Sequence, residues 1–348
     1  MADAITRKLL AAYKDSDMAR PVGFLTSLTT PVYHNSEKVA WDVQRSGQLV
    51  APAIALGTSN LTKADLWSAK EESPFYYNQK GNLNAFELLG RDPGETNFAD
   101  TNFQVKTASK AIALGISNFD TVARSVELQV SQVLTTGTIT AGGVTVSFSP
   151  KAAHFPTVGT AWTNAASDIL GDILSLCKVI NTNGKKRPTD IIFSDGDFTS
   201  FMNNTAVKAQ LDNRRINISQ VESVVPVGGA YYHGTLSVGA FKLNMWTYDD
   251  TYQLTEGGAY KDFIPANKTI ITARGRINST FGGIPRVVPK DSRLAFIPDR
   301  FNVPGQFLDM SIFPSVSANG QTLSIEVGTR ALVVPVAIDT FGCITTTP

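Results

Sequence analysis

Charge is scarce in this chain. Only 18% of its 348 residues are Asp, Glu, Lys or Arg, against about 25% in an ordinary soluble domain. Hydrophobic residues make up a normal 43%, so the deficit falls on the surface. An isolated monomer usually carries more charge than this; a surface short of charge suits one that partners partly cover. The charges also cancel: 31 Lys and Arg against 30 Asp and Glu give +1. That balance excludes the basic excess of a dedicated nucleic-acid binder and the acidic excess of a disordered tail. Cysteine is nearly missing. Cys177 and Cys343 alone exclude a disulfide framework and a Cys-based zinc site, and they fit a reducing compartment. The three histidines, His34, His154 and His233, have no partners at i+3 or i+4, so no HExxH-type ligand pair exists. Each reads as a surface or turn histidine. Long apolar runs are absent too: residues 331–338 are far too few to span a bilayer. The first twenty residues lack an apolar core and cleavage site, so no secretory signal is expected.

Catalytic motifs are equally lacking. There is no GxSxG elbow and no GxxxxGK[ST] loop. The basic loop Gly184-Lys185-Lys186-Arg187 follows a helical pattern rather than a strand and reads as a solvated turn. Asp195 and Asp197 flank Gly196 after a strand; one of them serves more simply as a helix N-cap than as a magnesium ligand. Asp249 and Asp250 read as a solvent-facing pair. Basic and aromatic residues are not interleaved as a single-strand binder needs. The expectation is no catalytic, cofactor or metal site, and a structural, self-assembling protein.

What is there is patterned. Residues 1–36 hold a short helical pattern (Ile5, Leu9, Leu10, Tyr13) and then Pro21, Gly23 and Pro31, too little for a core. They read as an arm. Val39, Trp41 and Val43 alternate with polar neighbours, the period of a half-buried strand. A returning strand at 85–89 would make residues 45–95 a long two-stranded excursion. At about 3.3 Å per residue, each side of some 20 residues reaches about 60 Å. Such a hairpin is not stable alone in water. Its aromatics need a surface, either that of its own body or that of a neighbour; the pattern leaves both open. Residues 101–136 carry the strongest helical signal: Ile112, Ile116, Phe119, Ala123, Val126, Val130 and Val133 form one stripe, Gly115 and Ser117-Asn118 are candidate bends, and Gly137 is a stop. A hairpin is expected over 138–148. A second helix should start near Trp162, capped by Thr163 or Asn164, with Leu170, Ile173, Leu174, Cys177 and Ile180 on one face. A buried strand (190–195), a third helix with Phe198, Phe201, Met202 and Leu211 inward, and a run of strands from 221 to 273 complete an α+β unit. TLSIEV and ALVVPVAI read as closing strands.

Several of these stretches, in this order, resemble one family. They are LVAPAIALG (49–57), SPFYYNQKGNLNAFELLGRDPGE (73–95), VSQVLTTGTI closing the long helix, Trp162 with ASDILGDI, IIFSDGDFTSFMNNTAVKAQLDNRR (191–215) and WTYDDTYQLTEGGAYKDFIPANKTIITA (246–273). Together they resemble the lambda-type major capsid proteins of tailed bacteriophages, the capsid protein E family. The resemblance runs from about Glu37 to about Phe281 and loosens beyond. It implies an α+β HK97-type capsid fold: an N-terminal arm (1–36), an extended E-loop region (37–100), a peripheral domain with a spine helix (101–164), an axial domain (165–275) and a C-terminal return to the peripheral domain (276–348). It further implies pentamers and hexamers closing into an icosahedral shell around double-stranded DNA. Expected partners are other copies of the chain, portal and scaffolding proteins, possible decoration proteins, and packaged DNA through non-specific contact; no membrane is expected. The chain would be made in the bacterial host cytoplasm and end in the virion. Trp41, Trp67, Phe75, Tyr76 and Tyr77 are the candidate inter-subunit contacts. A nanocompartment shell shares the implied fold. A hydrolase or transferase with its site in 165–275, around Asp195 and Asp249, and a carbohydrate-binding tail module are the readings outside the shell class.

Overall fold

The computed structural model describes residues 23–34, 36–44, 67–84, 103–212, 217–218, 228–284, 310–317 and 320–348. Two sheets and one long helix organise them. Helix α1 (Phe24–Ser27) leads into strand β1 (Thr30–His34). An antiparallel ribbon follows, β2 (Val39–Gln44) against β3 (Trp67–Glu72), and then β4 (Phe75–Asn84). The long helix α2 runs unbroken from Phe103 to Thr136, 34 residues, or about 50 Å. The hairpin β5 (Thr138–Ala141) and β6 (Val144–Ser147) comes next. Gly142 and Gly143 both have positive φ (56° and 78°), the type I′ turn that matches strand twist.

The second half is denser. Helix α3 (Ile169–Gly184), strand β7 (Asp190–Phe193), helices α4 (Asp195–Asn203) and α5 (Thr205–Asp212), and strands β8 (Asn217–Ile218), β9 (Ala230–Val238) and β10 (Phe241–Tyr248) precede a small ribbon, β11 (Thr251–Tyr252) with β12 (Lys261–Asp262). Strands β13 (Lys268–Thr272), β14 (Ile277–Gly282), β15 (Ser311–Val316), β16 (Thr322–Pro335) and β17 (Phe341–Thr345) finish the chain.

The six-stranded sheet has the order β17-β13-β7-β10-β9-β8. Its β7 is buried at all four positions. On it pack Ile169, Ile173, Cys177 and Ile180 of α3 and Phe201 of α4. The five-stranded sheet is built on the 14-residue β16. Strands β4 and β15 flank its first half and β14 its second, with β1 outermost, parallel to β14. His34 accepts from Gly283 N–H toward the β14 side, so alternation turns Pro31, which has no N–H, to the open edge. Proline there blunts an edge that could otherwise pair with any passing strand.

Helix α2 joins the two sheets. Its first half lies on β15 and β16 through Ala111 and Val122, against Ile312, Ile325 and Val327. Its second half enters the main core with Val130, Val133 and Leu134. Val126, Val130 and Val133 of the expected stripe are buried, but its earlier residues are less so. Ile112, Ile116 and Ala123 are only half-buried, while Ala111, Gly115, Asn118 and Gln129 face inward. Leu114 of the helix packs on Gly81 of β4, where a Cβ on the strand would overlap it. The inward polar residues serve the sheet backbone. Asn118 donates to the carbonyl of Ile325 at 2.9 Å, and so marks a helix-to-sheet tie, not a bend. Gln129 accepts from Val333 N–H at 3.0 Å, where β4 has ended and left that edge of β16 unpaired.

Other expectations shift. The helix expected near Trp162 starts at Ile169, capped by Asp168, which accepts from Gly171 N–H. Asn164 instead accepts from Ala166 N–H in a turn, and the Trp162 indole N–H donates to Asp172 at 2.9 Å. Neither Asp195 nor Asp197 caps α4; Ser194 does. Within the expected arm, Phe24 and Leu25 are fully buried in the main core, while Thr30–Tyr33 are exposed. The strand facing β2 is β3, not 85–89, which lies outside the described residues, as do 1–22 and 45–66. At the C-terminus β17 joins the six-stranded sheet beside β13, with Phe341 and Cys343 in the main core with Val130 and Val133 of α2. This strand is buried except at Thr345 although it is the outermost strand of that sheet, paired with β13.

Candidate assembly surfaces

Two elements that precede α2 are tied to the body by named contacts. The ribbon β2–β3 is one. Trp41 is buried at its base with its ring 5.4 Å from that of Phe148. Lys70 on the opposite strand donates to Ser149 Oγ at 3.0 Å, so both strands lean on the β5–β6 hairpin. Arg330 of β16 donates to the carbonyls of Ser36 and Glu37 just before the ribbon. A cavity of about 430 Å³ lies beside this root, lined by Val32, His34, Trp41, Thr280 and Val336 among others. Burial and then the Arg330 charge hold the His34 imidazole below its ordinary value, so it stays neutral at pH 7.

The second root is α1. Its N-terminal turn offers free backbone N–H groups, and Glu127 of α2 accepts them. Leu25 N–H donates to Oε1 at 2.6 Å and Thr26 N–H to Oε2 at 2.9 Å; the Thr26 hydroxyl and the Tyr248 hydroxyl also donate. Glu127 is fully buried. Burial raises its carboxyl above the ordinary value, against the pull of these four donors. This residue was not singled out in the sequence. Its one signal is an acid inside an apolar helical face, between Val126 and Leu128.

The candidate contacts separate. Trp41, Phe75 and Tyr77 all pack within their own chain; Phe75 leans on the main core, and the Tyr77 hydroxyl accepts from Gln129 at 2.8 Å. Tyr76, next to them on β4, is 51% exposed. Alternation along β4 makes this split, since neighbours point to opposite faces. Trp67 opens β3, and its side chain lies outside the described residues.

The acids considered for chemistry do not converge. Asp197 is buried and accepts from Thr269 and Thr346 hydroxyls at 3.1 and 2.6 Å, tying α4 to the sheet. Asp250 pairs with Arg124 at 3.4 Å, while Asp195 and Asp249 are exposed. Among the described residues no group of three or more His, Cys, Asp or Glu could hold a metal, and no helix is long and apolar enough to cross a membrane. The histidines are not all superficial. His154 is fully buried, with Nδ1 2.8 Å from the Phe341 carbonyl and Nε2 3.1 Å from Asn183. His233 stacks on Phe198 with ring centroids 4.0 Å apart.

This arrangement, a long helix joining two sheets, is also found in solved phage capsid structures. A protein assigned as a prophage capsid protein of E. coli CFT073 superposes with a TM-score of 0.63 at 12% identity, over 98% of both chains. The cyanophage A-1(L) capsid matches with a TM-score of 0.57 at 12% identity, over 95% of this chain and 94% of that one. A Gordonia phage Cozz chain gives 0.51 at 10%, over 93% and 86%. The fold is thus the HK97-type capsid fold, mixed α and β. No curated protein matches the chain in sequence. The family model described as phage major capsid protein E matches residues 7–341, and the chain belongs to that family. It is a major capsid protein of a phage shell, a virion component built from many copies of itself, and structural rather than enzymatic.

Proposed function

We propose that the chain forms pentamers and hexamers that close into an icosahedral head around double-stranded DNA. Copies assemble in the bacterial host cytoplasm with scaffolding and portal proteins, and decoration proteins are further candidates. The observation that carries this reading is the β2–β3 ribbon. It is tied to the body by Trp41 on Phe148 and Lys70 on Ser149. A two-stranded ribbon is not stable alone in water, and a neighbouring copy supplies further surface for it. Residues 23–84 then serve as the root of the arm and E-loop, the five-stranded sheet with α2 as the peripheral domain, and the six-stranded sheet as the axial domain. Tyr76, and Trp67 on the ribbon, are the contact residues toward neighbours. The near-neutral charge, +1, suits a wall that touches DNA without gripping its phosphates.

Electron microscopy of the expressed chain tests this. Closed particles with fivefold and sixfold capsomers are expected, and virions should hold DNA rather than an enclosed enzyme. A monodisperse monomer that never closes would remove the reading.

A further inference from the structure

Two loops among the described residues carry clusters of exposed charge of opposite sign. At the end of α3 stand Lys185, Lys186 and Arg187, consecutive and exposed, with Lys178 exposed two turns earlier. Beyond the end of β10, Asp249, Glu256 and Asp262 are exposed, with Lys261 the one opposing charge. Between these acids lie Leu254 and Tyr260, 66% and 73% exposed, the most exposed large apolar side chains among the described residues.

Both loops are held in shape. Lys185 closes α3 in the left-handed region (φ 52°). Gly184 before it packs on the backbone of Asp339 so closely that a Cβ would meet the carbonyl oxygen. The acidic loop is fixed at its base, where Arg124 donates to the Thr251 carbonyl at 2.5 Å and pairs with Asp250. The β11–β12 ladder closes it, and Gln253 donates across to the Gly258 carbonyl at 2.7 Å. Loops already ordered lose little freedom on docking.

The loops also stand at opposite ends of one sheet. The basic loop enters β7, the acidic loop leaves β10, and the two strands are parallel with Asn244 opposite Asp190. That register separates Arg187 from Asp249 by about 25 Å along the strands. Salt screens charges beyond about 8 Å at physiological strength, so the two loops cannot neutralise each other within one chain. Opposite charges at opposite ends are complementary in a head-to-tail ring, where one copy's leading loop meets the next copy's trailing loop.

We propose that the Lys186–Arg187 loop of one copy docks on the 249–262 loop of the next copy in the same ring, burying Leu254 and Tyr260 there. This rests on the reading of the chain as a shell subunit. A second copy answers both loops and the apolar residues together. DNA would attract the basic loop but repel the acidic one and leave Leu254 and Tyr260 in water.

Charge reversal tests the pairing, with particle yield measured on a density gradient against wild type. Lys186→Glu with Arg187→Glu is expected to lower yield at least tenfold, and Glu256→Lys with Asp262→Lys to do the same. Combining all four in one chain is expected to recover particles, which also shows that the variants fold. Wild-type yield from either reversed chain alone overturns the pairing, as does failure of the fourfold variant to recover particles. Normal yield with reduced DNA content also overturns it, by assigning the basic loop to DNA. If the wild-type chain itself gives no particles, the shell reading fails and the pairing with it; an unaffected reversed chain beside normal wild-type particles sinks the pairing alone.

Discussion

Replacing Glu127 by Ala tests how the arm root is held. The carboxylate is the sole acceptor shown for Leu25 N–H, and it also takes Thr26 N–H and two hydroxyls. The hydroxyls can rotate to other acceptors, but the two amides cannot. An unpaired buried amide costs about 1–3 kcal/mol, so Glu127→Ala should cost about 2–5 kcal/mol in the stability of α1 on α2. Hydrogen exchange reads this locally. Leu25 and Thr26 amides are protected in wild type, and a loss of about 2 kcal/mol corresponds to ~30-fold faster exchange. Glu127→Gln separates bonding from charge. It orphans one amide but removes a buried negative charge, whose burial outweighs the donors and raises the carboxyl pKa. A carboxyl that holds its proton more tightly folded than unfolded contributes stability that is complete below its unfolded pKa and is lost as pH climbs through the folded pKa. Wild-type stability should therefore carry a falling component above the ordinary carboxyl range, absent in Glu127→Gln. Unchanged exchange at Leu25 and Thr26 in Glu127→Ala, or equal pH slopes in wild type and Glu127→Gln, would refute the reasoning.

Two other measurements probe different parts of the chain. Trp41→Ala removes a buried indole from Phe148 and should cost about 3–5 kcal/mol, with faster protease cutting of the ribbon than of the β5–β6 hairpin; equal cutting rates in wild type and variant would count against Trp41 as the root. Burial pushes the Cys177 and Cys343 thiols up to about 12, so at pH 8 a thiolate fraction on the order of 10⁻⁴ leaves both unlabelled by a disulfide reagent until the chain is denatured, and rapid native labelling would show that the sheet around β17 opens.

Much of the architecture was legible in order along the chain. The long helix ends at the expected Gly137, where a Cβ would overlap Pro150. The 138–148 hairpin follows from its glycine pair, and β7 from its short apolar run. What failed did so for physical reasons. Helical periodicity located α2 and its buried Val126, Val130 and Val133 but missed Asn118 and Gln129, which face inward because their amides bond the sheet backbone. Capping signals are redundant in TNAASD and SDGD, and the choice among several cap-competent residues fell to the tertiary position of the helix. The aromatics of 75–77 read as one sticky cluster; strand alternation against β16 splits them, and only Tyr76 faces outward.

The sequence by itself determined the class: scarce, balanced charge, no reaction centre, and collinear motifs of a shell subunit, all properties of composition and local spacing. The tertiary structure alone decided which segments are body. It buried Phe24 and Leu25 against α2, carried β17 into the six-stranded sheet, and set a basic and an acidic loop at opposite ends of that sheet. Such placements depend on pairings between residues far apart in the chain, whose energies no local pattern encodes.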